Sequence, residues 1–300
     1  MSEVQLHHPV TEAALKAYSR IEDDRLRELT AAMIRHLHAL VEEVRLTDKE
    51  YETVWTLLKD MAKFTSEERN EYLLLFDLIG VSQLVEDLNH QDQRPDSAVG
   101  FALVGPFFRA NAPRRNRGES TVLGDTKGDR VRISGRVYDL TSNEPIGGAK
   151  LDVWQAATNG LYENQDEDQP DWNLRGRFEA DASGTYELEA LLPVPYPVPT
   201  DGPVGELLRA QRRHPYRPAH LHVMGYKPGY RTMVTQIFVA DDPRLESDVV
   251  FGVTRDLVGD YRRHESGTPP APDVTAPWYT LDQSFVMQRG EAKRPVPPIK

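Results

Sequence analysis

Two histidines separated by one residue have the clearest potential for chemistry in this sequence. His220 and His222 lie in the segment Arg217–Val223. Residues two apart in a strand lie on the same face, so the imidazoles converge while Leu221 and Val223 point into a core. Two converging imidazoles can chelate a metal ion. The pattern also suits two outward polar positions of a half-exposed strand, so the pair alone leaves both interpretations open.

The sequence restricts what could complete such a metal site. An iron site with two histidines and one carboxylate would favour an acidic residue close in sequence, and the eight residues after His222 contain none. The chain has no cysteine. The remaining ligands must therefore be a distant carboxylate, another histidine or tyrosine.

Two tyrosines occur in loops of unusual composition. Tyr162 follows the segment 157–161 (ATNGL), directly after a predicted strand. Tyr196 lies among four prolines in segment 193–199 (PVPYPVP), and prolines fix the backbone so that a phenolate is held at low entropic cost. The alternative for either tyrosine is a buried packing residue whose hydroxyl is hydrogen-bonded.

Taken together, these motifs resemble the signature of the intradiol ring-cleavage dioxygenases. The segments that carry the resemblance are Asn159–Tyr162, the proline-flanked Tyr196 and Arg217–His222, in matching order and spacing. The segment Gly105–Phe108 and the helical residues before it are similar to the catechol and hydroxyquinol 1,2-dioxygenase branch, so the resemblance covers most of the chain.

The resemblance implies a metal site and a reaction. It implies that Tyr162, Tyr196, His220 and His222 are the ligands of a non-haem Fe(III). This set is chemically consistent, because phenolates are hard anionic donors that favour the ferric state. An ortho-diol would bind as a dianion, and Tyr196 would accept a substrate proton as it leaves the metal. Arg217 would stabilise the negative charge that develops on the substrate, and Gln236 would help to orient it. Dioxygen then cleaves the ring to a dicarboxylate.

The resemblance to the hydroxyquinol branch also implies a substrate pocket. Its walls would be Leu74, Asp77, Leu103, Val104, Gly105, Pro106, Phe107, Val198, Pro199 and Val250. Asp77 interrupts an apolar run, and a carboxylate there must find a partner or face a wet cleft. The third hydroxyl of hydroxyquinol, absent from catechol, could be that partner; the alternative is an Asp77 that faces solvent or bonds to backbone.

The predicted function is therefore cleavage of hydroxyquinol by dioxygen to give maleylacetate. A catechol or chlorocatechol 1,2-dioxygenase producing (chloro)muconate is the alternative within the family. A transthyretin-like module that binds a small aromatic ligand without iron, and a structural protein that pairs through its helices, are alternatives of other classes.

The elements that position these residues change in type along the chain. Apolar residues recur at three- and four-residue spacing from Leu26 to Val44, which predicts an amphipathic helix. Thr47 with Glu50 predicts a capping box, and Thr65 with Glu68 predicts a second one. A further helix is expected over 72–88. After about residue 105, period-two alternation and Gly/Pro turns predict short strands.

This change predicts an α+β protein with two domains. Residues 1–104 would form a helical dimerisation domain, and residues 105–300 an antiparallel β-sandwich catalytic domain with an extended C-terminal tail. The family resemblance implies a homodimer through the helices and a phospholipid between the subunits.

Composition excludes several other classes of function. The 36 basic and 47 acidic residues give a net charge of −11, which disfavours binding to nucleic acid. The most apolar segment is too short to span a bilayer, which needs about 20 residues. The first ten residues lack the pattern of a secretory signal, so the sequence predicts a cytoplasmic location.

Overall fold

Helices come first along the chain and strands follow, which confirms the predicted α+β class. The computed structural model describes residues 8–67, 69–90, 101–269, 271 and 274–298. The chain divides into two compact units, Met1–Asp60 and Met61–Lys300. The boundary after residue 104 that the sequence suggests stays a prediction.

The first unit contains α1 (Pro9–Tyr18), α2 (Asp24–Val44) and the start of α3 (Asp48–Phe64). The predicted capping box is confirmed, since Thr47 N donates to Glu50 Oε2 at 2.9 Å and Glu50 N donates to Thr47 Oγ1 at 3.4 Å. The apolar stripe of α2 is exposed, and Ile34 is the residue of this helix that is buried. The exposed members are Leu26, Leu29, Met33, Leu37, Leu40, Val41 and Val44.

The helix expected over 72–88 is divided in two. These are α4 (Glu71–Leu78) and α5 (Val81–Asn89), and the break is at Gly80, whose φ of +76° suits glycine. Asn70 Oδ1 caps α4 by accepting from Leu73 N at 2.9 Å. The capping pair expected from Thr65 and Glu68 lies partly outside the described residues. α4 buries one face, which includes Leu74 and Asp77, while much of α5 is exposed.

In the described residues of the second unit, the β structure consists of two five-stranded sheets and one two-stranded sheet. The strands are β1 (Arg130–Asp139), β2 (Lys150–Trp154), β3 (Arg175–Glu179), β4 (Thr185–Leu191), β5 (Tyr196–Pro197), β6 (Tyr216–Arg217), β7 (His220–Tyr226), β8 (Met233–Val239), β9 (Val258–Gly259), β10 (Arg262–His264), β11 (Trp278–Asp282) and β12 (Phe285–Met287). The helix α6 (Pro203–Ala210) lies between β5 and β6.

The two large sheets are mixed, whereas the alternation predicts an antiparallel sandwich; the small β5–β6 sheet is antiparallel. The first sheet has the order β10-β11-β1-β12, with β4 also paired to β1, and the second has the order β3-β2-β7-β8-β9. β1 pairs in parallel with β11 and β12, and β8 pairs in parallel with β9. The segment that the sequence predicted to be an extended C-terminal tail therefore contributes the strands β11 and β12. Leu281 and Phe285 of these strands are buried in the core.

A single core cluster contains residues of both large sheets, which makes the second unit a sandwich. Val131, Ile133 and Val137 enter it from β1, and Leu221 and Val223 enter it from β7. This confirms the predicted alternation and leaves the histidines of β7 on the opposite face. Among the residues that the model describes, no helix is long and apolar enough to cross a membrane.

Candidate active site

Strand β7 brings the two histidines together. The Nε2 atoms of His220 and His222 are 3.1 Å apart. His220 Nδ1 lies 2.7 Å from the carbonyl oxygen of Pro218, an acceptor, so Nδ1 carries the ring proton and Nε2 presents its lone pair to the cluster.

The two tyrosines reach the same point from separate loops. Tyr162 precedes a short 3₁₀ turn (Glu163–Gln165), and Tyr196 begins β5, where it pairs with Arg217. The Tyr162 hydroxyl is 3.3 Å from the Tyr196 hydroxyl, which is 3.5 Å from His220 Nε2. The structure therefore brings together all four side chains for which the sequence suggested a role as ligands.

The four side chains are buried, and burial determines their protonation. Burial, reinforced by Arg217, lowers the pKa of His220 to about 3, and burial lowers the pKa of His222 well below its usual range. Burial also raises the pKa of both Tyr162 and Tyr196. The imidazoles are thus neutral donors, and the phenols need a nearby cation to ionise at neutral pH.

This donor set fits a hard metal ion. Two oxygen donors that become anionic and two neutral imidazoles match the preference of Fe(III). In the part of the chain that the model describes, no group of three His, Cys, Asp or Glu side chains could hold a metal ion, so a metal at this point depends on the tyrosines.

His222 packs against Trp154 and lies close to the backbone of Gly105. Its ring stacks on Trp154 at 4.7 Å between centroids, and Nδ1 has no hydrogen-bond partner among the described residues. A Cβ added to Gly105 would lie 3.2 Å from His222 Cε1, and Gly105 has φ +77°. Only glycine allows the chain to pass this close to the imidazole without strain.

Arg217 is buried beside the cluster. Nη1 lies 3.2 Å from His220 Nε2, and the guanidinium donates to both carboxylate oxygens of Asp248, at 3.2 and 3.0 Å. Burial opposes the charged form, but the Asp248 carboxylate together with Tyr196 and Tyr162 outweighs it and raises the pKa of Arg217. Arg217 is therefore a charged donor held by a buried ion pair.

Gln236 contacts the arginine and the pocket wall. Its Oε1 accepts from Arg217 Nη2 at 2.8 Å, and its Nε2 donates to the carbonyl oxygen of Leu103 at 2.8 Å. Both ends of the amide are engaged, so the side chain orients Arg217 and the Leu103 segment. Its expected direct role on the substrate stays a prediction.

A narrow cavity adjoins the cluster and contains most of the expected substrate residues. It is lined by Leu74, Asp77, Leu103, Gly105, Pro106, Phe107, Tyr196, Val198, Pro199, Arg217 and Val250. Val104 lies instead in a neighbouring groove that shares Asp77, Leu103 and Gly105 with the cavity. Tyr196 is the one of the four clustered side chains that lines the cavity wall.

Asp77 provides a carboxylate in a wall whose other polar side chains are Tyr196 and Arg217. It is 5% exposed, so the structure does not place it in solvent. Burial raises the pKa of Asp77 to about 6, against the lowering effects of a hydrogen bond from Ser82 and the charge of Arg217. A carboxyl group that titrates near neutrality at a cavity wall is available to accept a hydrogen bond from a bound molecule.

Sequence reasoning missed two charged groups next to this cluster. Arg175 of β3 is 1% exposed and donates to Glu163 Oε2 at 2.6 Å. Asp248, the partner of Arg217, accepts from Gly252 N at 3.0 Å. Asp77 was noticeable because it interrupts an apolar run. Arg175 lies in a strand with other charged residues and Asp248 lies in a loop, so the sequence around them gives no such signal.

Two family models match the chain over most of its length. The model described as "Dioxygenase" matches residues 103–284, and the model described as "Catechol dioxygenase N terminus" matches residues 23–96. The first match includes all four clustered side chains and Arg217.

Individual proteins match the chain over most of their own length. A hydroxyquinol 1,2-dioxygenase of Rhizobium sp. (strain MTP-10005) is 41% identical over 271 residues, which cover 89% of this chain and 90% of that protein. A catechol 1,2-dioxygenase of Candida albicans is 36% identical over 78% of this chain and 77% of that protein. The crystal structure of a hydroxyquinol 1,2-dioxygenase from Pseudomonas putida DLL-E4 superposes with a TM-score of 0.84 and 39% identity, covering 94% of this chain and 98% of that chain.

Proposed function

The chain belongs to the intradiol ring-cleavage dioxygenases, and from this membership we propose that it cleaves hydroxyquinol (1,2,4-trihydroxybenzene) with dioxygen at a non-haem Fe(III) to give maleylacetate. The family model covers residues 103–284, more than half of the chain, and the relatives are oxidoreductases of this kind. Hydroxyquinol and dioxygen together contain the atoms of maleylacetate, so the reaction needs no other reactant.

The observation that carries the proposal is the convergence of four donor side chains beside one cavity. Tyr162, Tyr196, His220 and His222 come from three segments of the chain and meet within hydrogen-bonding distances of each other. They are the ligands of the proposed ferric ion. That ion supplies Lewis acidity, which favours binding of the diol as a dianion and activates its ring toward dioxygen.

The side chains of the cavity wall perform the remaining steps. Tyr196, whose ring faces the cavity, accepts a proton from a diol hydroxyl as the substrate binds. Arg217 donates hydrogen bonds to the negative charge that develops on the substrate. The cavity's apolar residues exclude water from the ring until it is cleaved.

Asp77 supports hydroxyquinol as the substrate. Its buried carboxylate lies in the wall that faces the ring, where a third hydroxyl can donate to it. Catechol has no such hydroxyl and would leave the carboxylate without that bond, which costs binding energy when the group is buried.

The visible spectrum tests the metal site. Purified protein reconstituted with iron should show a broad tyrosinate-to-iron charge-transfer band that moves when hydroxyquinol is added without oxygen. Tyr162→Phe should lower the iron content and the band, whereas Tyr186→Phe, at a buried tyrosine in the core, should retain both. A protein that stays colourless after reconstitution would refute the proposal.

The second candidate function is that of a catechol or chlorocatechol 1,2-dioxygenase. The 36% identity to a catechol 1,2-dioxygenase supports it. Comparing kcat/KM for hydroxyquinol, catechol and 4-chlorocatechol, with chromatographic identification of the products, separates the two. The transthyretin-like module considered from the sequence is wrong as a description of function, since the chain belongs to an enzyme family.

The assembly belongs to the same proposal. We infer a homodimer that forms through the exposed apolar stripe of α2, because seven large apolar side chains on one helix face favour contact with another protein surface. The phospholipid between subunits and the cytoplasmic location stay predictions.

A further inference from the structure

Arg175 is a fully buried cation that contacts Tyr162 and Phe107 of the candidate active site and the turn that follows Tyr162. Its Nε donates to Glu163 Oε2 at 2.6 Å, and its Nη1 donates to the carbonyl oxygen of Phe107 at 2.7 Å. Its guanidinium carbon lies 5.6 Å from the centroid of the Tyr162 ring. Nη2 donates to Asn164 Oδ1 at 3.2 Å.

A buried guanidinium persists only where hydrogen bonds and an opposite charge compensate it. Glu163 provides that charge, and its own side chain is 1% exposed. Arg109 also donates to Glu163, from the solvent side, at 2.6 Å. The carboxylate is therefore shared by two arginines, of which Arg175 contacts the Tyr162 ring.

The contacts of Arg175 join a proposed metal ligand to the pocket wall. The Phe107 ring stacks on the Tyr162 ring with centroids 4.7 Å apart, and Arg175 donates a hydrogen bond to the backbone carbonyl of Phe107. A change at Arg175 would therefore affect the phenol and the substrate cavity together.

We propose that Arg175 is a positioning residue that fixes Phe107 against Tyr162, and that the Arg175–Glu163 pair sets the electron-donating strength of the Tyr162 phenolate. This inference rests on the proposed iron site. A positive charge near the phenolate stabilises its donor electrons, and a low-dielectric surrounding makes that effect strong. The carboxylate of Glu163 offsets part of it.

Arg175 and Glu163 have opposite charges, so removing each charge should move the band in opposite directions. A purely structural role of the pair would not produce such opposite shifts. In iron-loaded protein, Arg175→Met should move the tyrosinate-to-iron band to longer wavelength, because the donor electrons rise in energy. Glu163→Gln should move it to shorter wavelength, because the charge of Arg175 is then less compensated. The double variant should return the band towards its wild-type position.

Arg175→Lys separates charge from positioning. It keeps the positive charge but has fewer donors for Glu163 and Phe107. The band should stay near its wild-type position, while KM for the diol should rise roughly fivefold from the loss of one hydrogen bond to the wall.

Arg177→Met is the matched control. Arg177 lies on the same strand and forms an ion pair with Asp152, and no contact joins it to Tyr162 among the described residues. The tyrosinate-to-iron band of the Arg177→Met variant should stay at the wild-type wavelength.

The outcomes separate this inference from the function on which it rests. A wild-type protein without the band would overturn the iron site and the inference with it. A wild-type band that Arg175→Met and Glu163→Gln leave unchanged, or move in the same direction, would overturn the inference alone. If the Arg175→Met variant does not fold, the Glu163→Gln variant provides the test by itself. The inference would then be overturned if the band of Glu163→Gln does not move to shorter wavelength.

Discussion

Replacement of Asp77 by asparagine should make the protein more stable and less selective. The pKa of Asp77 lies at about 6 in the folded protein, against 3.8 for the unperturbed group, because burial penalises the carboxylate. Each pKa unit corresponds to about 1.4 kcal/mol, so ionisation costs the folded state about 3 kcal/mol. Asparagine keeps the size of the side chain without this cost.

The pH dependence of stability follows from the sign of this pKa change. Since the folded-state value is the higher one, the stabilising contribution of the protonated group is complete below about pH 4 and is lost as the pH rises through about 6. The stability difference between Asp77→Asn and wild type should thus reach about half its full value at pH 5 and all of it by pH 8. Thermal unfolding across this range measures it. Asp125→Asn, at an exposed carboxylate, should show no such difference.

The same substitution should reduce preference for hydroxyquinol. A hydrogen bond to a charged acceptor is worth about 1 kcal/mol more than one to a neutral acceptor, which corresponds to roughly fivefold in kcat/KM. The kcat/KM for catechol, which lacks the third hydroxyl, should change little. In wild type the ratio of kcat/KM for hydroxyquinol to that for catechol should rise as the pH increases through about 6 and Asp77 ionises, and in the variant it should be independent of pH.

Two results would refute this reasoning. One is an equal fall in kcat/KM for both substrates, which would mean that Asp77 supports the cavity and does not recognise the third hydroxyl. The other is a variant with no gain in stability at pH 8, which would mean that the buried carboxylate is compensated in the folded protein.

Three further perturbations test other parts of the structure. Asp248→Asn leaves the Arg217 guanidinium buried without its counter-charge, so stability should fall by about 3–5 kcal/mol and Tm by roughly 6–20 °C in differential scanning calorimetry. Gly105→Ala places a Cβ 3.2 Å from the His222 ring, and the iron content after reconstitution, measured by elemental analysis, should fall. Met33→Asp adds a charge to the exposed stripe of α2, and sedimentation should then show monomers; a wild-type protein that is already monomeric would contradict the inferred dimer.

The sequence pattern correctly predicted features that depend on a single helix or strand. The period of α2 and the Thr47 capping box both formed as predicted, because helix periodicity and capping depend on residues three or four apart. Alternation in β7 placed Leu221 and Val223 in the core and both histidines on the other face. The break at Gly80 was missed since apolar residues continue on both sides of it.

Pairings between distant segments depended on tertiary structure. The parallel strands β11 and β12 join β1 from 148 residues away, and no local pattern specifies that register. Arg175 and Asp248 became part of the site because the fold places them beside Tyr162 and Arg217, and a buried charge must have a partner.

The sequence by itself determined the family and the residue types of the site, since the motifs around Tyr162, Tyr196 and His220 are local and their order along the chain is visible. Only the tertiary structure decided that the donor atoms lie within 3.1–3.5 Å of one another and that Asp77 is buried in the cavity wall. The physical reason is that donor distances, burial and the resulting pKa values depend on every segment packed around a side chain, and these segments come from throughout the chain.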